Sequence, residues 1–459
     1  MLRDLFGHIA DFFAEFFKKE EVWFLLLFAS FAGILVIPNV LSFLLWLIGL
    51  LWWLWLFLIL FPVTKSVWLF WRNELYKQGI QHVVFELRMP REILKNPRAM
   101  EQVLATINGA RNSPGNFKET YWDGEITLWF SLEIISIGGE VHFYVRTPEK
   151  HRNAIEAAFF AYYPDVEVVE VEDYVEKLVP ETLEEVESQQ KEMWSGEYIL
   201  SREDAYPIKT YPSFEDPAEE RTFDPISTFL EALNNVKGQS FIGLQYIIEP
   251  AGRSWKDAWN GLLKQLQASP KSAPVPEGEF QAFAIRSPGQ TEVLKAVEAN
   301  LSKPAFATLI RALYITPKGD FNFNYVYRSL AGALNQFSAL HLNSFRMNSA
   351  VMTKVSVWDW PHLFAKRRSD LRKRRSLYNY RFREIPPKTS AGLLLTSTPL
   401  NANASKLSVL TTESVATLFH PPTSMVLTAP HVKRSESKKT GPPAGLAIFG
   451  EEGEIQKYL

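Results

Sequence analysis

Hydrophobic and polar positions alternate most cleanly between His82 and Val171. Val83, Phe85 and Leu87 stand against Glu86 and Arg88 with the period of a half-buried strand, and Pro90 ends the run. Asn96-Pro97 then offers an N-cap and a first-turn proline to a helix whose apolar face is Met100, Val103, Leu104 and Ile107, stopped by Gly109. Ile126, Leu128, Phe130, Leu132 and Ile134 alternate with Thr127, Trp129, Ser131 and Glu133. Val141, Phe143 and Val145 alternate with His142, Tyr144 and Arg146, and Gly138-Gly139 joins the two strands as a two-residue hairpin turn. Thr147-Pro148 opens a helix carrying Ile155, Ala158, Phe159 and Tyr162, which stops before Pro164, and a last strand covers Val166 to Val171. The order βαββαβ predicts a ferredoxin-like domain over residues 78–175.

Upstream, the pattern loses its polar half. Val22 to Thr64 is a run of 43 residues without a charge, whereas one membrane-crossing helix needs about 20. Pro38-Asn39 divides it and predicts a transmembrane helical hairpin over residues 22–64, with arms near Glu21 to Ile37 and Val40 to Phe61. Lys18 and Lys19 precede the run and Lys65, Arg72 and Lys77 follow it, so the positive-inside rule places both ends and the soluble part in the cytoplasm. Leu5, Ile9, Phe12, Phe13, Phe16 and Phe17 recur at helical spacing over residues 1–21, as in an amphipathic surface helix.

Downstream, residues 176–223 read as an acidic, solvated linker, because Asp165 to Arg221 holds 18 acidic and 5 basic residues. A second α/β unit follows over residues 224–350. It has helices over Pro225 to Asn235, from Ser254, over Gln290 to Leu301 and over Asn324 to Phe337, and strands over Gln239 to Glu249 and Ala307 to Thr316. Its recurrence after the first unit suggests a loose duplication. The expected class is therefore α+β: a membrane hairpin, a ferredoxin-like domain and a second α/β unit.

Charge changes this picture at the C-terminal end. A net charge of −2 conceals 17 basic and 8 acidic residues after Ala350, so residues 351–459 form a basic region on an acidic body. Its densest part holds Lys366, Arg367, Arg368, Arg372, Lys373, Arg374, Arg375, Arg381 and Arg383, interleaved with Tyr378, Tyr380 and Phe382. Such a cluster suits a phosphate backbone. It equally suits a basic helix facing solvent, the acidic linker or anionic lipid. Trp129 and Tyr144, outward on the first sheet, suit packing against a neighbouring subunit better than stacking on RNA bases.

The absence of cysteine excludes disulfides, thiolate metal sites and thiol nucleophiles. No window matches a P-loop, His-Glu-x-x-His or Gly-x-Ser-x-Gly, and the eight histidines are scattered. The sequence thus predicts no catalytic residues, no metal and no cofactor.

Three stretches together resemble a known bacterial arrangement: Phe85-Glu86-Leu87-Arg88-Met89-Pro90-Arg91-Glu92; Leu128 to Ile134 with Ile137-Gly138-Gly139-Glu140-Val141; and Thr411-Thr412-Glu413 followed by Ala416-Thr417-Leu418-Phe419-His420-Pro421. They are similar to the membrane-anchored N-terminal half of conjugation-type (type IV secretion) DNA-translocating ATPases. In that family the last stretch lies shortly before the ATPase core, whose P-loop would follow Pro442-Pro443; here the sequence reaches Leu459 without one. The resemblance implies a non-catalytic membrane scaffold that meets copies of itself, a separate P-loop translocase or other secretion subunits, and DNA. The rival expectations are a split or truncated translocase half whose ATPase is encoded next door, and a membrane enzyme with an unrecognised site.

Overall fold

The computed structural model describes residues 38–89, 96–214, 224–234, 236, 238–267, 287–359, 362–398 and 400–422. The chain divides into two units, residues 1–68 and 69–459. The expected amphipathic helix over residues 1–21 and the first hairpin arm lie outside the described residues.

In the first unit, helix α1 covers Pro38–Leu50, with proline at its first position, where the missing N–H costs nothing. Helix α2, Trp52–Gln78, begins there and runs on into the second unit. Among the described residues α2 alone is long and apolar enough to cross a membrane, with a mean hydropathy of 1.7 in its apolar window and none of that window buried. The arm expected over Val40 to Phe61 is thus two helices broken at Leu51, and the second runs past Phe61 to Gln78 with Pro62 inside it. Proline removes one helical hydrogen bond, and that loss is tolerated where the surroundings offer the backbone no better partner.

The second unit is mixed α+β and built on one antiparallel sheet in the order β4-β1-β3-β2-β6-β7-β5-β8, with β9 added to β7. The strands are β1 His82–Arg88, β2 Phe130–Ile137, β3 Glu140–Pro148, β4 Glu167–Val171, β5 Lys191–Leu200, β6 Phe241–Pro250, β7 Ala305–Pro317, β8 Phe345–Met347 and β9 Ser408–Thr411. Gly138 (φ 58°) and Gly139 (φ 99°) make the β2–β3 turn, in the backbone region that a tight hairpin requires. Numbered within each half, β4-β1-β3-β2 and β8-β5-β7-β6 have the same order. The halves meet strand two against strand two, Phe130 opposite Ile248 and Ile137 opposite Phe241. The duplication suggested by the sequence is therefore present as strand order within one continuous sheet. The two soluble domains expected over 78–175 and 224–350 share that sheet, and no break separates them.

The segment expected as an acidic linker contributes the short helices Tyr174–Leu178 and Leu183–Ser188 and the ten-residue strand β5. β5 escapes a period-two reading because both of its faces are covered, so Met193 and Trp194, on opposite faces, are equally buried.

Helices α3 (Arg98–Gly109) and α4 (Arg152–Tyr162) cover one face of the first half, and α7 (Ser227–Asn234) and α10 (Phe323–Asn335) cover the same face of the second. Between α7 and α10 come α8 (Asn260–Gln267) and α9 (Pro288–Leu301). The main core on this face runs from Val103 and Phe159 through Leu132, Phe143, Tyr246 and Ile310 to Leu330. The opposite face is roofed by α5 (Tyr174–Leu178), α6 (Leu183–Ser188) and α11 (Ala365–Phe382) over a second core holding Ile135, Tyr144, Leu313, Leu377 and Tyr380. The outward aromatics Trp129 and Tyr144 are accordingly buried by this chain itself. Trp129 packs with Ile247, Leu309 and Ile385, and Tyr144 stacks on Tyr174 at 5.0 Å between centroids.

The motif Thr411 to His420 closes the first face. Helix α12 is Ser390–Leu395 and α13 is Thr412–Leu418, which packs on α3 and buries Val415, Ala416 and Leu418. Phe419 meets Phe143 of one half and Tyr246 of the other edge-on. His420, fully buried, is held at both ring nitrogens: Nδ1–H donates to the Ala416 carbonyl oxygen at 2.8 Å, and Nε2 lies 2.9 Å from an Asp224 carboxyl oxygen.

Candidate functional site: the basic helix on a buried polar rung

The register of the sheet lines up six polar or aromatic residues on the face beneath α11. Glu86 lies opposite Tyr144, Tyr144 opposite Glu133, Glu133 opposite Gln245, Gln245 opposite Arg311 and Arg311 opposite Glu197. This rung crosses strands β1-β3-β2-β6-β7-β5, and all six residues are buried. Charges held this far from water stay ionised only when paired and hydrogen-bonded: Glu133 meets Arg383 just past the end of α11, Arg311 meets Glu197, and Glu86 meets Arg88 and His142.

Arg383 is the central one. It follows the last residue of α11 in the left-handed conformation (φ 51°), and its N–H caps the helix on the carbonyls of Asn379 and Tyr380. Glycine usually takes this position, since a side chain there costs roughly 1–2 kcal/mol. The turn drives the guanidinium down into the sheet, where all five N–H donors are used. Nε and Nη2 donate to Glu133 at 2.9 and 3.1 Å, Nη1 and Nη2 donate to Asp173 at 2.6 and 2.9 Å, and Nη1 also donates to the Arg381 carbonyl at 3.0 Å. Burial works against the charge on Arg383, but Glu133 and Asp173 outweigh it and hold its proton more tightly than usual. Burial likewise pushes Asp173 up, and the Arg383 charge more than reverses this. Arg146, beside the pair on β3, is pulled down to about 10 by burial and by Arg383.

The rung also closes the end of α11. Gln245 donates to the Tyr380 carbonyl at 3.0 Å, and Arg311 to those of Asn379 at 2.8 Å and Glu384 at 3.0 Å. These are acceptors that a helix C-terminus leaves unsatisfied, and a cation there also suits the helix dipole. Arg311 is neutralised by Glu197 at 3.0–3.1 Å. The Tyr380 hydroxyl reaches that of Tyr174 at 2.9 Å, and Tyr174 donates to Glu133 at 2.6 Å, so burial and the nearby carboxylate push both phenols up.

The nine basic residues singled out in the sequence do not form one surface. Arg368 is buried and donates to the Asp359 carbonyl, and Arg372 donates to the carbonyls of Ser349 and Met352. Lys373 pairs with Glu192, Arg374 with Glu184, Arg381 with Glu181 and Arg383 with Asp173, all acidic residues of the supposed linker or just before it. Arg375 donates to the carbonyls of Thr396 and Asn401. Lys366 and Arg367 face solvent. Of the readings open from sequence, the geometry agrees with a basic helix facing the acidic segment.

Sequence reasoning did not find Glu133, Asp173, Gln245, Arg311 or Glu197. The available signal was Glu86 and Glu133 on otherwise apolar strands, since a carboxylate that alternates with large hydrophobics and then proves buried demands a cation from elsewhere.

Two clefts flank this machinery. One of about 280 Å³ lies beside the end of α11, where Lys77 bridges Glu74 at 2.8 Å and Glu384 at 3.0 Å, and burial pushes the Glu384 carboxyl up. The larger, about 580 Å³, lies between α9 and the 338–342 segment, and its Lys303 and Glu413 pair with each other. Among the described residues no cluster of three or more His, Asp or Glu is placed to hold a metal. No protein-family model matches the chain, and no curated protein matches it significantly.

Proposed function

We propose that this chain is a non-catalytic, membrane-anchored scaffold of a conjugation-like DNA-translocation machine, acting beside a separate P-loop motor ATPase and assembling with copies of itself. The observation that carries the reading is the rung beneath α11. Glu133 and Arg311 are spent on Arg383, Glu197 and the helix end, an arrangement that favours a rigid platform over a reactive pocket. The apolar helix α2 supports anchoring in an inner membrane, with the soluble unit on the cytoplasmic side. The resemblance supplies the machine, and the stretch that carries it, Thr411 to Pro421, is built into the scaffold's core. We read the strand order β4-β1-β3-β2, with α3 and α4 as crossovers, as the ferredoxin-like plan, repeated in the second half. DNA contact by this body would fall to the exposed Lys366 and Arg367.

Solubilisation from the native membrane in mild detergent, followed by mass spectrometry of what copurifies, tests the proposal. Recovery of a P-loop translocase or other secretion subunits is the expected result. Recovery of this chain alone, or with unrelated membrane proteins, overturns it.

A further inference from the structure

We propose that helix α6 is an acidic mask on one edge of α11, so that α11 meets DNA through Lys366 and Arg367 while α6 is in place and gains Lys373 and Arg374 when α6 is displaced. The inference rests on the DNA contact proposed above and adds its regulation.

The basic residues of α11 repeat. Lys366-Arg367 recurs as Lys373-Arg374, and Arg381 lies seven residues beyond Arg374. Seven residues are two turns, about 10 Å along the axis, so the three positions share one edge of the helix. The first pair faces solvent. The other two positions meet the acidic segment, whose helix α6 packs on α11. Arg374 pairs with Glu184, Glu187 and Asp370 face the same guanidinium, and Lys373 pairs with Glu192 where β5 begins. Arg381 pairs with Glu181 at 3.2 Å but also donates to the carbonyls of Val175 and Val179, so it stays with the body.

Exposure separates this edge from the buried latch. Arg383 and Glu133 are 1% and 0% exposed, and their pair is part of the fold. Arg374 and Glu184 are 52% and 59% exposed. Pairs of that kind hold weakly and exchange with other ions, so Glu184 can leave Arg374 without stranding Glu133. A phosphate backbone fits the vacated edge because Glu181, Glu184 and Glu192 already form a row of anions along it, which is what a duplex presents. One dibasic pair is thus open to phosphates, and its repeat is covered by carboxylates of the same charge sign.

The full chain in mild detergent, titrated with a fluorescently labelled DNA duplex at several salt concentrations, tests the mask. Glu184→Gln/Glu187→Gln/Glu192→Gln should bind severalfold more tightly than wild type, with little change in melting temperature. Its slope of log affinity against log salt should be steeper by about 1–2, since each added phosphate contact contributes about 0.9. Glu184→Gln alone, at the exposed pair, should show part of the same gain and serves if the triple variant melts early. Adding Lys373→Ala and Arg374→Ala should abolish the gain, whereas these two substitutions in wild type should leave DNA binding unchanged. An unchanged slope in the glutamine variants, with wild-type binding still weakened by replacing Lys366 and Arg367, would overturn the mask and leave the DNA contact standing. Absence of DNA binding in every form would overturn the contact and the mask with it. A gain that survives Lys373→Ala and Arg374→Ala would be a general effect of lost negative charge and would overturn the proposal. A gain seen with phosphatidylglycerol vesicles but not with DNA would assign the edge to anionic lipid and overturn it as well.

Discussion

The hydroxyl of Tyr380, on the last turn of α11, occupies the space that a side chain at Gly243 of β6 would need. Glycine in the middle of a strand weakens it unless another group makes a close approach. Here the approach seats the roof helix and brings Tyr380 within reach of Tyr174. Gly243→Ala should cost about 1–3 kcal/mol, the usual penalty of overpacking. Tyr380→Phe in the same background should recover part of it. Thermal melts of the four members of this cycle in detergent decide the matter, and additive effects would show that the two residues do not meet.

Arg383 and Lys366 lie at opposite ends of one basic segment and should behave oppositely. Arg383→Ala strands Glu133 and Asp173 and should lower stability by about 3–5 kcal/mol, the cost of breaking a buried pair from one side. Replacing Lys366 and Arg367 with alanine should change stability by no more than about 0.5 kcal/mol. The same double variant should reduce the slope of log affinity for DNA against log salt by at most about 2, since each phosphate contact contributes about 0.9. A larger loss of slope on neutralising Arg372, Lys373, Arg374 and Arg375 with the melt unchanged would show that the internal pairs are dispensable and that this helix is a DNA surface.

His82, at the start of β1, carries a pH signature. Burial, and then the charges of Arg146 and Arg383 against Asp173, depress it to about 3 from an ordinary 6.5. The unfolded chain therefore takes up a proton below pH 6.5 that the folded protein refuses until about pH 3, and stability falls as the pH drops between those values. The slope is at most about 1.4 kcal/mol per pH unit. Asp204, pushed up to about 6 by burial, acts in the opposite sense, because its folded form binds a proton first and loses stability as the pH rises. His82→Gln should leave the Asp204 effect and remove the other, so wild type should lose up to about 2 kcal/mol relative to the variant between pH 7 and pH 5. Parallel melting curves across that interval would refute this.

His420, fully buried, and Glu413, partly exposed, separate the architectural from the peripheral part of the C-terminal motif. His420→Ala removes a buried bridge between Asp224 and α13 and should cost about 2–4 kcal/mol. Glu413→Gln, at a partly exposed pair with Lys303, should cost about 1 kcal/mol or less. Chemical denaturation of both variants measures the ratio, and equal losses would contradict the packing described for His420.

The sequence by itself determined the local elements whose signals are local: the βαββαβ run, the Gly138-Gly139 turn, the apolar helix, and the helices α7 to α10 with strands β6 and β7 of the second half. It also determined that a cationic segment follows an acidic one, though not that they meet. Only the tertiary structure decided that two α/β halves share one sheet through β2 and β6, that β5 is a strand of that sheet between β7 and β8, and that Glu86, Tyr144, Glu133, Gln245, Arg311 and Glu197 form one rung. The physical reason is register. Periodicity tells which side of its own strand a residue faces, but which residue stands opposite it depends on backbone hydrogen bonds between segments a hundred positions apart. The fate of the basic cluster followed from that alignment, because Arg311 and Arg383 find their carboxylates only once the strands are paired.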